Sequence, residues 1–265
     1  MLDPTLIAAG ALTGFVVGLT GVGGGALMTP ILLLFFGVNP FTAVGTDLWF
    51  SALTKLFASR AHHAHGLIDW GVARRLWMGS LPAAGLTLLA IHYAPITAAT
   101  VAFLKGVIAV AVLVTAVGLL LHKPLHALGQ KWRTQKAHRF KTVQMPLTVA
   151  AGALLGVLVT LTSVGAGALG AVLLTYLYPF RLTPPRLIAT DIVHAIPLTV
   201  CAGVGHLAIG NVDFTLLGNL LIGSIPAVLA GAMLSVRLPH TFLRTALALV
   251  LFLIGLKMAL ACCGF

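Results

Sequence analysis

The chain has 265 residues, of which 59% are hydrophobic and 8% charged. A soluble protein cannot hide that much apolar surface, and its apolar runs of about 20 residues outlast buried strands of about 4–8, which excludes a soluble α/β fold and points to an all-α integral membrane protein. The formal charge of +11 does not require nucleic acid, because six of the 16 Lys and Arg fall in one stretch, HKPLHALGQKWRTQKAHRFK (122–141), and such juxtamembrane loops mark the cytoplasmic face and meet anionic headgroups.

The first residues, MLDPT, lack a basic n-region and a small-residue cleavage site, so no removable signal peptide is expected. The first predicted element, 5–36, is an apolar segment broken by TGVGGGAL (20–27), with Gly21, Gly23, Gly24 and Gly25 within five positions. Three spans follow near 42–60, 71–91 and 99–121. The first carries Asp47, Ser51 and Lys55 at i, i+4, i+8, one above the next on one helix face. HHAH (62–65) follows it, among arginines. After the basic linker comes a second broken segment, 146–178, interrupted at TSVGAGAL (162–169). Spans near 186–207, 213–236 and 241–261 complete the chain. Three cysteines, Cys201, Cys262 and Cys263, give neither a disulfide framework nor zinc spacing.

The chain is therefore written twice. TGVGGGAL aligns with TSVGAGAL at an offset of 142; beyond a two-residue insertion the offset is 144. Thr46-Asp47 then matches Thr190-Asp191, His62 matches His206, Gly66 matches Gly210, Asp69 matches Asp213, and Gly79-Ser80-Leu81-Pro82 matches Gly223-Ser224-Ile225-Pro226. There is no Glu, and four of the five Asp form two repeated pairs. The expected units are a first transmembrane repeat (1–121), a basic cytoplasmic linker (122–145) and a second repeat (146–265). If each broken segment is a re-entrant helical hairpin, each half crosses three times and the halves are inverted. Thirteen Lys and Arg then lie on the linker side and none in the loops near 37–41, 92–98 and 208–212. Halves that cross four times give nine against four, so the positive-inside rule favours inversion.

Inverted repeats with discontinuous segments are a transporter architecture. Backbone that leaves the helix at membrane depth must be buried or line a cavity, and each break frees N–H groups at the start of the next half-helix. Those groups and the helix dipole form an anion site, which glycine lets a ligand approach closely. The same glycines also serve helix packing by small residues.

With these residues in place the sequence resembles the TauE/SafE sulfite exporter family of bacterial membrane transporters. The matching stretches are GVGGGALMTPIL (21–32), AVGTDLWFSALTKL (43–56) and HHAHGLIDW (62–70), repeated as SVGAGAL (163–169), ATDIVHAIPLT (189–199) and GHLAIGNVDF (205–214). The likeness covers nearly the whole chain. It implies a multi-pass protein of the bacterial inner membrane that moves a small sulfur-containing anion such as sulfite, thiosulfate or an organosulfonate. The family often has Ser after the Gly-Thr where this chain has Asp47 and Asp191. An acid beside an anion site carries a proton or pairs with a cation.

The substrate-binding residues expected from this reading are Thr20, Gly21, Gly23, Gly24, Gly25, Ser51, Lys55, Thr162, Ser163, Gly165 and Gly167. Asp47, Asp191 and His194 are the expected proton-coupling set, Asp191 and His194 sharing a helix face at i, i+3. Each has a structural alternative. Asp47 could cap the free N–H groups of the hairpin, and Lys55 could snorkel to the inner face beside Arg60. Asp191 and His194 could tie helices together, and the Thr and Ser hydroxyls could back-bond within their helices. Asp69 and Asp213 read as helix N-caps. A second function class is a divalent-metal cation transporter using His62, His63 and His65 with the Asp pairs. No GxSxG, HExxH or Ser/His/Asp set marks an enzyme, and no cofactor, resident metal or nucleic-acid partner is expected; membrane lipid is.

Overall fold

The computed structural model describes the backbone of all residues except 1, 21–24, 64–65, 136, 236–239 and 263–265, and side chains except, in addition, those of 25, 58–63, 137–139, 141, 235, 240–242 and 262. The described residues form eleven helices and no strand. They are α1 (Pro4–Thr20), α2 (Gly25–Phe35), α3 (Pro40–His63), α4 (Trp70–Tyr93), α5 (Ala98–Leu120), α6 (His122–Gln135), α7 (Ala137–Thr162), α8 (Ala168–Leu177), α9 (Pro184–Ala208), α10 (Phe214–Ser235) and α11 (His240–Cys262).

Segments within α5, α7, α9, α10 and α11 are long and apolar enough to cross a membrane. The helices α3 and α4 are equally long, at 24 residues each, but carry more polar groups: Thr46, Asp47, Ser51 and Lys55 on one, Arg74 and Arg75 on the other. The basic linker is itself helical. Its first part is α6, and α7 starts at residue 137, inside the stretch expected to be linker, and runs through Pro146.

Local signals set the helix ends. Asp69 accepts the Val72 N–H, Asp213 accepts those of Thr215 and Leu216, and Asp3 accepts those of Thr5 and Leu6. Three of the five acids thus serve helix starts, as expected for Asp69 and Asp213. The repeated Gly66 and Gly210 both hold positive φ, 61° and 88°, where the chain reverses before α4 and α10.

Packing follows the repeat. The helix α1 packs on α10 as α7 packs on α4, α5 meets α11, and α3 meets α9. The glycines matched in sequence make these contacts close. A methyl group added at Gly79 would overlap the Val149 carbonyl of α7, and one at Gly223 would overlap the Ile7 carbonyl of α1. Gly10 and Gly14 approach Leu220 and Ser224, while Gly152 and Gly156 approach Leu76 and Ser80, so the partners in each pair run parallel. The central pair runs the other way. Gly45 lies against Asn211 and His206, the Trp49 indole donates to the Gly203 carbonyl, and Lys55, farther along α3, interacts with Asp191. Both α3 and α9 are buried along most of their length, which puts the core at their antiparallel crossing.

From the α4–α7 register, Thr162 at the end of α7 stands level with about residue 86 of α4, roughly 10 Å short of that helix's end at 1.5 Å per residue. The chain then turns back. Gln144 Nε2 donates to the Leu177 carbonyl at 2.6 Å, and the Thr148 and Tyr178 hydroxyls are 2.8 Å apart, so the end of α8 returns to the first half of α7. The glycine contacts make a direct prediction. Gly79→Ala should destabilise the protein by about 1–3 kcal/mol through overpacking. Gly85→Ala, which meets open space on the same helix, should leave the thermal unfolding midpoint in detergent unchanged or slightly raised.

Candidate functional site

The site is built around the second break. Ser163 takes a left-handed conformation, φ 57°, and Gly165 and Gly167 have φ of 119° and 131°. The two glycines adopt these angles without the penalty a side chain would bring. The Thr162 hydroxyl donates to the Leu158 carbonyl at 2.6 Å and accepts the Val164 N–H at 3.1 Å, which holds the end of α7. Helix α8 restarts with the Gly170 N–H on the Gly165 carbonyl and the Ala171 N–H on the Gly167 carbonyl, each at 3.0 Å. Its N-cap is Gly167, which has no side chain to cap the first turn.

Three groups from α3 surround this break. Lys55 is buried, and its ammonium donates to the Ala166 carbonyl at 2.8 Å. It does not snorkel to the surface; the carbonyl exposed by the break gives it a partner inside. One Asp47 oxygen accepts both the N–H and the hydroxyl of Thr29, in the first half of α2. The carboxylate also lies within interaction range of Ser163. Asp47 is therefore bonded to the first broken segment and lies close to the second. Ser51, one turn from both Asp47 and Lys55 on the same helix, is fully buried.

From the opposite side α9 supplies Asp191, whose Oδ1 sits where a side chain on Gly170 would be. The second half has Ala171 in place of Thr29 by the repeat alignment, so no hydroxyl of that kind reaches Asp191. Lys55 lies within electrostatic range of both Asp47 and Asp191. The expected Asp191–His194 pair is not joined by a hydrogen bond among the described residues. His194 Nε2 instead lies 3.0 Å from Ser80 Oγ on α4, and its carbonyl accepts from the Trp77 indole. Helix α4 packs beside α9 and takes the imidazole first.

Five buried polar atoms in this region have no hydrogen-bond partner among the described residues: Asp47 Oδ1, Ser51 Oγ, Ser163 Oγ, Asp191 Oδ1 and His194 Nδ1. Native interiors leave few such atoms unsatisfied, so each of the five has hydrogen-bonding capacity to spare for a water or another polar group.

At the first break Gly21, Gly23 and Gly24 lie outside the described residues, and Gly25 opens α2. The Thr20 hydroxyl donates to the Val16 carbonyl at 2.7 Å, as its repeat mate Thr162 does to Leu158. His65 and the side chains of His62 and His63 also lie outside the described residues. Among the described residues no group of three or more His, Cys, Asp or Glu is placed to hold a metal ion.

Sequence reasoning passed over several contributors. Thr29 and Gly170 carry no chemical signature, and the Ala166 carbonyl has no side-chain label at all. Thr46 and Thr190 were visible only as the neighbours of the repeated acids. In the fold the Asp213 N–H donates to Thr46 Oγ1 at 3.1 Å and the Asp69 N–H to Thr190 Oγ1 at 3.0 Å. This reciprocal tie locks each half's first span to the start of a span in the other.

Away from the site, Asp69 forms a two-point ion pair with Arg181, at 2.6 and 2.8 Å. Burial pushes its carboxyl up, but the Arg181 and Val72 hydrogen bonds outweigh that and hold it below its ordinary value. A depressed acid contributes its stability above its unfolded pKa and loses it as the pH falls through the folded one. Asp69→Asn should therefore lower the thermal midpoint at neutral pH, and the gap from the unsubstituted protein should narrow below about pH 4.

The family model described as "Sulfite exporter TauE/SafE" matches residues 6–258. The chain is 35% identical over 223 residues to the probable membrane transporter protein YjnA of Bacillus subtilis (strain 168), covering 81% of this chain and 83% of that protein. It is 28% identical over 207 residues to the probable membrane transporter protein YdhB of the same organism, covering 78% and 79%. No solved structure matches.

Proposed function

The chain belongs to the sulfite exporter TauE/SafE family, and from that premise we propose that this multi-pass membrane protein is a secondary transporter of a small sulfur-containing anion. Sulfite, thiosulfate and organosulfonates are the candidates. The observation that carries the reading is the buried Lys55 ammonium at the second break, among hydroxyls, N–H groups and polar atoms without partners. A cation held in a low-dielectric interior beside an uncapped helix start favours an anionic guest.

Two carboxylates share that cation, so an anion enters most favourably when one of them is protonated. In this mechanism Asp191 takes up a proton with the anion, and Asp47, already held by Thr29, positions the two breaks. Proton coupling follows, with His194 beside the path. The halves act as inverted repeats, 1–121 and 146–265, that rock about the α3–α9 crossing and expose the site to each side in turn. The antiparallel run of α3 against α9 supports inversion, since a two-fold axis perpendicular to matched helices reverses them. Arg75, Arg133 and Arg181 gather at one end of the bundle, with Arg186 beside Asp69 there. By the positive-inside rule that end, with the linker, is cytoplasmic.

The test is thermal stabilisation of the purified protein by sulfite, thiosulfate, sulfate, taurine and sulfoacetate, with Ni²⁺ and Co²⁺ as the opposing set. A ligand that binds only the folded state raises stability by mass action. The reading predicts a shift with a sulfur anion, larger at acidic than at alkaline pH. A shift with a metal and none with any anion would overturn it.

A further inference from the structure

At the linker end of the bundle lies a cavity of about 590 Å³ lined by Arg75 of α4, Arg133 of α6 and Arg181 of the turn after α8. Gln144, Tyr178 and Phe180 complete its wall. Its charge is not balanced from within. The chain has five acidic side chains in all. Asp69 is taken by Arg181, Asp3 and Asp213 serve helix starts, and Asp47 and Asp191 lie in the core. No carboxylate side chain is left for Arg75 or Arg133.

Among the described residues each makes one hydrogen bond. One Arg75 nitrogen donates to the Tyr178 hydroxyl at 3.3 Å, and one Arg133 nitrogen reaches Gln144 Oε1 at 3.5 Å, with the guanidinium 5.6 Å from the Phe140 ring centre. A guanidinium carries five N–H donors in a fork that matches oxyanions, so most of the donor capacity of these two cavity-lining groups is unused among the described residues. The surroundings set the depth. Trp132 and Leu128 project outward from the basic helix α6, and Phe180 and Met145 are exposed nearby. Trp on a basic amphipathic helix belongs at the headgroup level of a bilayer.

We propose that this cavity is a second anion site, separate from the break cluster, in which Arg75 and Arg133 bind a phosphate group. The source is the phosphodiester of an anionic lipid headgroup or free inorganic phosphate; the chemistry of the site is the same for both. Arg181 is held by Asp69 and serves as the rigid wall. The assignment stands independently of the sulfur-anion reading, because the two sites share no residue.

The experiment is a thermal-stabilisation titration of the full-length protein in neutral detergent. Its lipid arm uses dioctanoyl phosphatidylglycerol against the matching phosphatidylcholine. Its free-ion arm uses inorganic phosphate against chloride at equal ionic strength. Stabilisation by phosphatidylglycerol alone assigns the lipid headgroup, and stabilisation by inorganic phosphate assigns the free ion. In either case Arg75→Gln and Arg133→Gln should each weaken the effect by about tenfold, and Lys55→Met should leave it intact. Arg75→Lys, which keeps the charge without the fork, should fall between, and it remains informative if a glutamine variant fails to fold. No stabilisation in either arm would overturn the assignment. So would full binding by the variants, or loss of binding in Lys55→Met, which would place the anion at the break cluster instead.

Discussion

Lys55→Met is expected to yield a folded protein whose anion flux in proteoliposomes falls about tenfold to a hundredfold. The methionine keeps most of the side-chain volume and removes the charge. The guest then loses one charge-assisted hydrogen bond, worth about 1.5–3 kcal/mol. The Ala166 carbonyl loses its donor, and the buried Asp47 and Asp191 lose the electrostatic influence of Lys55. Size-exclusion profiles and thermal midpoints separate lost transport from lost fold. Flux close to that of the unsubstituted protein would make Lys55 a structural tie to the break and nothing more.

Gly170→Ala should be nearly as damaging, although it adds a single methyl group. The new carbon would occupy the position of Asp191 Oδ1. The carboxylate must swing away from Lys55, or α8 must shift. Either response costs about 1–3 kcal/mol as overpacking and moves the proton-binding group off its place. A second substitution distinguishes this cause from a general intolerance at position 170. Asp191→Ala removes the obstructed atoms, so the double variant should recover stability relative to the sum of the singles, with a coupling of about 1 kcal/mol or more. Strictly additive midpoints would show that Gly170 does not make room for Asp191. Transport should stay impaired in all three variants, because each disturbs or removes the Asp191 carboxylate.

Much of this arrangement is written locally. The breaks at 20–27 and 162–169, the span limits and the N-caps at Asp69 and Asp213 depend on nearby residues; apart from α6 and the early start of α7, the helices begin and end within a few positions of the expected ones. The repeat offset also marked Gly79 and Gly223, whose close contacts it did not explain. Residues whose partners come from the other half were harder to read. Lys55 lies five positions before Arg60, so spacing alone allowed snorkelling; the Ala166 carbonyl, more than a hundred residues away, decides against it. His194 and Asp191 share a helix face, yet neighbouring α4 claims the imidazole through Ser80. Thr46 and Thr190 gain their meaning only when the halves cross. The linker hid a helix because basic composition drew attention to charge rather than to the apolar positions of α6.

The asymmetry between the halves follows from one exchange. Thr29 gives Asp47 two hydrogen bonds, while its repeat mate Ala171 gives Asp191 none of that kind. Two acids in matched places thus meet different surroundings, the difference from which the proposed division of roles between them is drawn.

The most direct measurement is flux of sulfur-35-labelled sulfite and thiosulfate into proteoliposomes holding the unsubstituted protein, with and without an imposed pH gradient, beside Lys55→Met. The account predicts label accumulation that the gradient increases and that Lys55→Met lowers about tenfold to a hundredfold. Flux undiminished in Lys55→Met, or no flux of any sulfur anion where Ni²⁺ or Co²⁺ moves, would contradict it.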